Sequence, residues 1–263
     1  MNNSIHSLID ALSHNLTVKE LDQHAVSAAD VAADIKFIYK LYDLQKIVRF
    51  FGQKYWEKET IENVAEPRNL PLETVAAHSF QVASSVRWLA PHFPSLDHAK
   101  AVDLALLHDQ PEILIGDRDP VGPDGKGFNT HAFNTEKRNQ KDNEERAAVI
   151  LLASEMRQSV RSSYTSLVLE YLDGRTHEAQ FVKAVDKLQA LAFVRLKKQG
   201  NVTSEHMAFT IRYCRLGVMA YPPLQGHFQM VLRDILEDIS EINGNMMSEY
   251  CQKTNILLEI SDA

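Results

Sequence analysis

Apolar residues recur at helical spacing along most of the chain, and this periodicity limits the fold more than any other feature. It is clearest in two stripes with intervals of three, four or seven residues, Val31-Ile35-Ile38-Leu41 and Val75-Val82-Val86-Leu89. Further helices are predicted around 97–110, 136–157, 162–172, 178–198, 204–219 and 226–242, several of them separated by proline or glycine. Because no segment shows the alternation of a half-buried strand, the sequence predicts an all-α helical bundle.

The charge balance and the hydropathy narrow the classes of partner. Lysine and arginine total 28 against 35 acidic residues, a formal net charge of −7. Non-specific binding to a long nucleic acid depends on cations that displace counterions, so that partner is disfavoured, whereas a small anionic substrate is compatible with local positive charge. No apolar run could span a bilayer, and the N-terminal segment lacks the basic start and continuous apolar stretch of a secretion signal. These features predict a soluble, cytoplasmic protein without membrane contact.

Residues 116–135 are predicted to form a long loop, since they hold four of the ten glycines together with Pro120 and Pro123. Such a loop either borders a functional site or is a mobile surface excursion. The segment that follows, 136–146, mixes both charge signs at helical spacing. It is interpreted as a solvent-exposed helix face to which no chemistry is assigned.

A histidine stands on the apolar stripe of the second helix. His78 follows Val75 by three residues and precedes Val82 by four, which turns its imidazole towards the core. A single histidine in such a place is more often a hydrogen-bonded core residue than a metal ligand. On its own, His78 therefore indicates little.

A second histidine is followed directly by an aspartate. His108 lies four residues after Leu104, on the same predicted face, and Asp109 comes next. A carboxylate near a core is costly unless a cation or a hydrogen bond compensates it. The pair indicates either a metal site or a simple His–Asp hydrogen bond, and the dipeptide alone leaves both interpretations open.

Asp186 also lies along an apolar helix face, four residues after Val182. Its neighbours Lys183 and Lys187 offer a structural salt bridge as an alternative to a functional role. Taken together, however, two imidazoles and two carboxylates on the inward faces of three helices form a nitrogen and oxygen donor set that suits a divalent transition metal.

The order His78, His108-Asp109, Asp186, at separations of 30, 1 and 77 residues, resembles the signature of HD-domain phosphohydrolases. Three strings are similar to the 5′-deoxynucleotidase-like group of that superfamily: ETVAAHSFQVA at 73–83, LALLHDQPEILIGD at 104–117 and EYLDGRTHEAQFVKAVDKLQAL at 170–191. The resemblance covers roughly residues 40–200. It implies an HD-domain helical bundle, which we expect to be a single domain over 1–263 with helical extensions at 1–39 and 201–263.

The resemblance implies a metal-dependent phosphohydrolase that releases inorganic phosphate from (deoxy)nucleoside 5′-monophosphates. It assigns the four inward residues, His78, His108, Asp109 and Asp186, as ligands of one divalent ion, and it leaves the choice among Co, Mn, Ni, Fe, Zn and Mg open.

The family also uses an acid four residues after the second histidine and another in a Gly-Asp pair. These positions correspond to Glu112 and Asp117, which are therefore the expected catalytic residues. Glu112 follows His108 by one helical turn, so it can face the metal without binding it, although Pro111 can tighten or kink that turn.

The chain departs from the family pattern at two places. Members usually carry an acid just before the first histidine, where this chain has Ala77. They also place an arginine followed by an aromatic residue shortly upstream, as a phosphate clamp and sugar reader. Here Arg49-Phe50 has the right pairing but lies 29 residues upstream of His78, and Arg68 lies ten residues upstream without the aromatic partner. All three are candidate substrate-binding residues, since a guanidinium offers a fork to phosphate oxygens.

Other functions stay open. One is a different HD activity, either nucleoside triphosphate hydrolysis or cyclic-nucleotide cleavage, although ligands for a second metal are not evident in the sequence. Another is a non-catalytic, nucleotide-sensing HD protein, against which Glu112 and Asp117 argue, because a binding module needs no general base. A purely structural helical scaffold would require all three inward polar sites to be coincidental. The expected partner is a small-molecule nucleotide, and a homodimer is compatible with the family, in which helical proteins often pair.

Overall fold

A computed structural model describes residue 7, residues 26–56 and residues 70–243, and these ranges are largely helical. The α-helices of the described part are α1 (Ala28–Leu41), α2 (Val75–Leu89), α3 (His98–Leu107), α4 (Glu112–Ile115), α5 (Thr135–Glu155), α6 (Gln158–Asp173), α7 (His177–Lys198), α8 (Ser204–Val218) and α9 (Gln225–Asn243). Within the described ranges, extended pairing is confined to one antiparallel bridge between Val48 and Thr74. The structure therefore confirms the predicted all-α fold.

Polar side chains define where most of these helices begin. In each case the side-chain oxygen of the residue before the helix accepts the backbone N–H three residues along, which satisfies one of the unpaired groups of the first turn. The capping residues are Ser27, Thr74, Asp97, Asn134, Thr176 and Thr203. Since a cap depends only on residues that are close in sequence, the predicted helix starts lie near the observed ones.

Helix α7 is the centre of the core. It packs against α2, α3, α6, α8 and α9, and its side chains are buried along most of its length. The main apolar cluster around it includes Val82, Val86, Leu104, Phe181, Val185, Met207 and Ile235. Because its neighbours enclose α7, the position of a polar residue at its middle, such as Asp186, is fixed by the surrounding core.

A second apolar layer lies between α5 and α6. It includes Val149, Leu152 and Val168, with Phe37 of α1 packed against it. The predicted apolar stripe of α1 is not part of this layer, because Val31, Ile35 and Ile38 are exposed. The periodicity thus identified the helix correctly but not the way its apolar face packs. Residues 1–6, 8–25 and 244–263, which belong to the expected extensions, lie outside the described residues.

Residues 116–134 form the predicted long loop, and the loop is attached to the segment around Tyr55. The Tyr55 hydroxyl donates to the carbonyl of Gly125 at 2.8 Å, and Lys54 Nζ donates to the carbonyl of Asp124 at 3.3 Å. Gly127 has a φ of +73°, and a Cβ there would lie 2.7 Å from the ring of Phe209 on α8. The loop is therefore closely packed against α8. No helix of the described part is both long enough and apolar enough to cross a membrane.

Candidate metal centre

Buried side chains from three helical segments converge where α2, α3 and α7 pack together. His78 of α2, His108 at the end of α3 and Asp186 of α7 each offer a ligand atom, and these atoms lie within 4.8 Å of one another. His78 Nε2 is 3.1 Å from Asp186 Oδ1 and 3.4 Å from His108 Nε2. Asp109 Oδ2 lies 3.1 Å from His108 Nε2 and 3.5 Å from His78 Nε2. The structure thus brings the four predicted ligands together.

The groups behind the two imidazoles indicate which ring nitrogen is free. His108 Nδ1 lies 2.7 Å from the carbonyl oxygen of Ala105, which can only accept, so this nitrogen carries a proton. His78 Nδ1 lies 2.8 Å from the amide oxygen of Gln189, again an acceptor. In the neutral imidazoles both Nε2 atoms then direct lone pairs into the same space, beside two carboxylates. Such donors repel one another unless a cation lies between them, and their chemistry fits a divalent transition metal.

The electrostatics of the centre favour positive charge at this point. Burial opposes ionisation of Asp186, but Lys187 and the two histidines hold the pKa of Asp186 well below its usual range. Burial likewise opposes protonation of His108, but Asp109 and Asp186 raise the pKa of this imidazole. The surrounding carboxylates thus compensate a cation in a site where an isolated charge would be costly.

Glu112 reaches the centre from a helix of its own. Helix α3 ends at Leu107, and α4 begins at Glu112 directly after Pro111. The prediction that Glu112 shares a helix face with His108 is therefore wrong, because the proline has no N–H with which to continue α3. The Glu112 side chain is nevertheless buried, and its Oε2 has no hydrogen-bond partner among the described residues. Burial, followed by the charges of Asp109 and Asp117, raises the pKa of Glu112 well above its usual value.

Arg49 also lies at the centre, despite its distance from His78 in the sequence. The antiparallel bridge between Val48 and Thr74 places Arg49 beside the start of α2, where its Nη1 donates to Glu73 Oε1 at 2.8 Å. Burial would lower the pKa of Arg49, but Glu73 and Asp117 raise it, so the guanidinium stays charged. Burial also raises the pKa of Asp117, against the pull of Arg49. Arg49 lies 29 residues before His78 in the sequence, and the bridge explains how it nevertheless reaches the site.

The other predicted positions have different surroundings. The ring of Phe50 stacks on Trp56 and Phe193, with centroids 5.0 Å and 5.3 Å away, so it packs in an apolar cluster, and its contact with a substrate stays a prediction. Arg68 lies outside the described residues. Ala77, which stands where the family usually has an acid, is exposed. The acid near His78 is instead Glu73, whose Oε1 lies 3.7 Å from His78 Nδ1.

Two lysines of α7 border the centre. Lys187 Nζ lies 2.9 Å from Asp186 Oδ2, so the ion pair considered from the sequence is present within the proposed ligand set. Lys183 Nζ lies 4.3 Å from the ring centroid of Tyr171, whose ring is in turn 5.3 Å from that of His108. Burial, together with the neighbouring Lys187, lowers the pKa of Lys183. Two ammonium groups thus stand close together beside a metal site, where an anion would relieve their repulsion.

A third lysine was missed. Lys141 lies in the segment 136–146, to which no chemistry was assigned, yet it is mostly buried and forms an ion pair with Glu145. Burial would lower the pKa of Lys141, but Glu145 and Glu112 raise it. Lys141 and Glu145 precede the buried residues Ala148 and Leu152 at helical spacing, so all four lie on one face of α5. This spacing could have indicated from the sequence that Lys141 points inward.

The comparisons with known proteins agree with this architecture. The sequence profile of the HD domain matches residues 62–216. One similar solved structure is an HD-domain phosphohydrolase from Listeria innocua, with 20% sequence identity, coverage of 86% of this chain and 98% of that chain, and a TM-score of 0.54. Another is a protein from Magnetospirillum magnetotacticum described as a predicted metal-dependent phosphohydrolase, with 20% identity, coverage of 78% of this chain and 97% of that chain, and a TM-score of 0.53. A protein from Pyrococcus horikoshii is also similar, with 22% sequence identity, coverage of 76% of this chain and 99% of that chain, and a TM-score of 0.50.

No curated protein sequence matches the chain at a significant level. At these identities the solved structures show the fold alone, whereas the profile covers more than half of the chain. An HD phosphohydrolase domain implies a divalent metal ion, and the group of His78, His108 and Asp186 could bind it. The chain belongs to the HD-domain family.

Proposed function

We propose that this protein is a phosphomonoesterase that releases inorganic phosphate from (deoxy)nucleoside 5′-monophosphates. One observation carries the proposal: Glu112, a buried carboxyl group with an oxygen that has no hydrogen-bond partner among the described residues, interacts electrostatically with Asp109, which contacts the group of His78, His108 and Asp186 that could hold a metal ion. One of the similar solved structures is described as a predicted metal-dependent phosphohydrolase and another as an HD-domain phosphohydrolase, which supports the reaction type. The nucleotide specificity is supported by the sequence strings around the three metal-site segments.

The residues of the centre divide into ligands and proton carriers. A divalent ion held by His78, His108, Asp109 and Asp186 would lower the pKa of a bound water and withdraw charge from the phosphate. Glu112 accepts a proton from the attacking water, whose oxygen forms the new bond to phosphorus. Asp117 would return a proton to the 5′ oxygen as the ester bond breaks.

The positive groups around the centre support an anionic substrate. Arg49 presents a buried guanidinium that can bind two phosphate oxygens at once. Lys183 and Lys187 add two ammonium groups on the side of α7. A phosphate would thus meet local positive charge although the whole chain is acidic.

The alternative HD activities receive less support. Across residues 26–56 and 70–243, one group of His, Cys, Asp and Glu side chains has the geometry to hold a metal. A dinuclear cyclic-nucleotide phosphodiesterase would need further ligands next to it. We therefore propose a mononuclear centre. A single domain over 1–263, a cytoplasmic location and a homodimer stay predictions.

The proposed substrate class is tested by measuring phosphate release from nucleoside mono-, di- and triphosphates with each of several divalent ions. We expect inorganic phosphate from the 5′-monophosphates, and we expect activity to disappear after chelation and to return on adding metal. Release of pyrophosphate or triphosphate would instead place the protein among the triphosphate hydrolases. Nucleotide binding with no product under any metal would support the sensing alternative.

Replacing Arg49 by lysine is expected to lower kcat/KM by about 10- to 100-fold, mainly through KM, because an ammonium keeps the charge but loses the guanidinium fork. The affinity for inorganic phosphate, measured by calorimetry, should fall in parallel. Arg87→Lys is the matched control, since Arg87 is an exposed arginine on α2. Unchanged phosphate affinity in the Arg49 variant would show that Arg49 has only a structural role beside Glu73.

A further inference from the structure

A continuous chain of hydrogen bonds runs behind His78, on the side of the ring that faces away from the other ligands. It joins Arg49 to Glu73, Glu73 to Gln189 and Gln189 to His78, and we call it the relay. We propose that Gln189 and Glu73 are positioning residues that fix the tautomer of His78, and that the charge of Arg49 holds the relay in its orientation. The inference rests on the proposed metal centre and adds residues that neither the sequence motifs nor the family assignment indicated.

Three short contacts define the relay. Arg49 Nη1 donates to Glu73 Oε1 at 2.8 Å, and Gln189 Nε2 donates to the other oxygen, Glu73 Oε2, at 3.0 Å. Gln189 Oε1 lies 2.8 Å from His78 Nδ1. Arg49, Glu73 and His78 are buried, whereas Gln189 is partly buried, so three of the four groups in the relay are shielded from water.

The chemistry of the groups gives the relay one direction. An arginine can only donate, and an ionised carboxylate can only accept, so Glu73 must receive hydrogen bonds from both neighbours. The amide of Gln189 must therefore turn its NH₂ group to Glu73 and its oxygen to His78. An oxygen facing His78 Nδ1 requires a proton on that nitrogen, which in the neutral imidazole leaves Nε2 unprotonated.

The opposite orientation of the amide would block the proposed ligand. If Gln189 turned its NH₂ group to His78, then Nδ1 would have to accept and the proton would move to Nε2. That nitrogen faces Asp186 Oδ1 at 3.1 Å and His108 Nε2 at 3.4 Å, so a protonated Nε2 could not bind a metal there. Glu73 prevents this by accepting a hydrogen bond from the NH₂ group, and Arg49 holds Glu73 in place by donating to its other oxygen. The relay thus links a proposed phosphate-binding arginine to a proposed metal ligand.

The relay is tested in the metal-free protein by long-range ¹H–¹⁵N NMR spectra, which show which imidazole nitrogen of His78 carries the proton. Wild type should show the Nδ1-protonated form. Gln189→Leu removes the acceptor and should give a mixture that contains the Nε2-protonated form. Gln189→Glu keeps an acceptor oxygen towards Nδ1, and a proton shared between the two carboxyl groups replaces the lost NH₂ donor to Glu73, so this variant should preserve the wild-type tautomer. Glu73→Leu leaves the amide free to turn and should also give a mixture.

The same variants are then titrated with Co²⁺ by calorimetry. Gln189→Leu should weaken Co²⁺ binding by about 10- to 100-fold, the usual effect of removing a hydrogen-bond partner of a metal-binding histidine, and Glu73→Leu should weaken it by a smaller factor. Gln189→Glu should bind Co²⁺ within about threefold of wild type. The matched control is Gln180→Leu, because Gln180 is a partly buried glutamine on the same helix, more than one turn before Asp186.

A pure Nδ1-protonated tautomer in both Gln189→Leu and Glu73→Leu, with unchanged Co²⁺ affinity, would overturn the relay. If either leucine variant fails to fold, as judged by circular dichroism, the other variant and Gln189→Glu still decide the matter. Loss of the Nδ1-protonated form in Gln189→Glu would equally contradict the proposal. Because the tautomer is read without metal, failure of wild type to bind Co²⁺ would count against the proposed metal centre and leave the NMR result to judge the relay.

Discussion

Glu112→Gln is expected to lower turnover by about 100-fold or more while the metal and most of the substrate affinity are retained. The amide preserves the shape of the side chain but cannot accept a proton from the attacking water. Glu112 is buried, and its Oε2 has no hydrogen-bond partner in the described part of the chain. Replacing the carboxyl group should therefore remove proton transfer without breaking a structural contact of that oxygen. The measurements are kcat from phosphate release and metal content from elemental analysis.

The matched control for this substitution is Glu136→Gln, since Glu136 is an exposed glutamate in the first turn of α5. Its turnover should equal that of wild type. Loss of metal from the Glu112 variant would make Glu112 a ligand. Near-normal turnover with the metal in place would show that Glu112 is not the general base, and Asp117 would then become the principal candidate.

Asp186→Ala is expected to remove most of the bound metal and, with it, nearly all phosphate release. Asp186 lies at the middle of α7, with Oδ1 3.1 Å from His78 Nε2, and alanine offers no ligand atom at this position. The substitution also leaves Lys187 without its carboxylate partner beside the site, which adds repulsion to the loss of a ligand. Elemental analysis of the purified variant gives the metal-to-protein ratio directly.

The control is Asp103→Ala, which removes an exposed aspartate from α3 and should keep about one metal per chain. Circular dichroism should show that both variants retain their helices, because the aspartate at 186 is not part of the apolar core. Full occupancy in the Asp186 variant would exclude Asp186 as a ligand. Metal loss in both variants would point to a general effect of lost acidic groups rather than to a specific site.

The sequence was sufficient for the helices and for the ligand candidates, for reasons that are local. Most of the helices start at a capping residue such as Thr74 or Thr176, and the apolar period of a helix depends only on residues within a few turns. His78 and Asp186 could be placed on inward faces for the same reason, because the spacing of the apolar residues around them shows which positions of the helix face the core. The combination of these residues then indicated one site without any knowledge of how the helices pack.

The parts that only the tertiary structure decided all depend on contacts between distant segments. The stripe on α1 predicted a helix, but nothing local could tell whether Val31, Ile35 and Ile38 meet a neighbour. Pro111 gave Glu112 a helix of its own, so its direction depends on how that short helix packs, not on the turn that it would have shared with His108.

Arg49 and Gln189 show the same limit at the site itself. Arg49 joins the centre because a backbone bridge at Val48 and Thr74 brings a distant segment to the start of α2. Gln189 meets His78 because two helices 111 residues apart in the chain pack side by side. A helical period fixes which face of a helix is apolar, but it contains no information on the crossing angles and depths at which helices meet. Those angles and depths place Arg49 and the relay behind His78, and so they were decided by the fold.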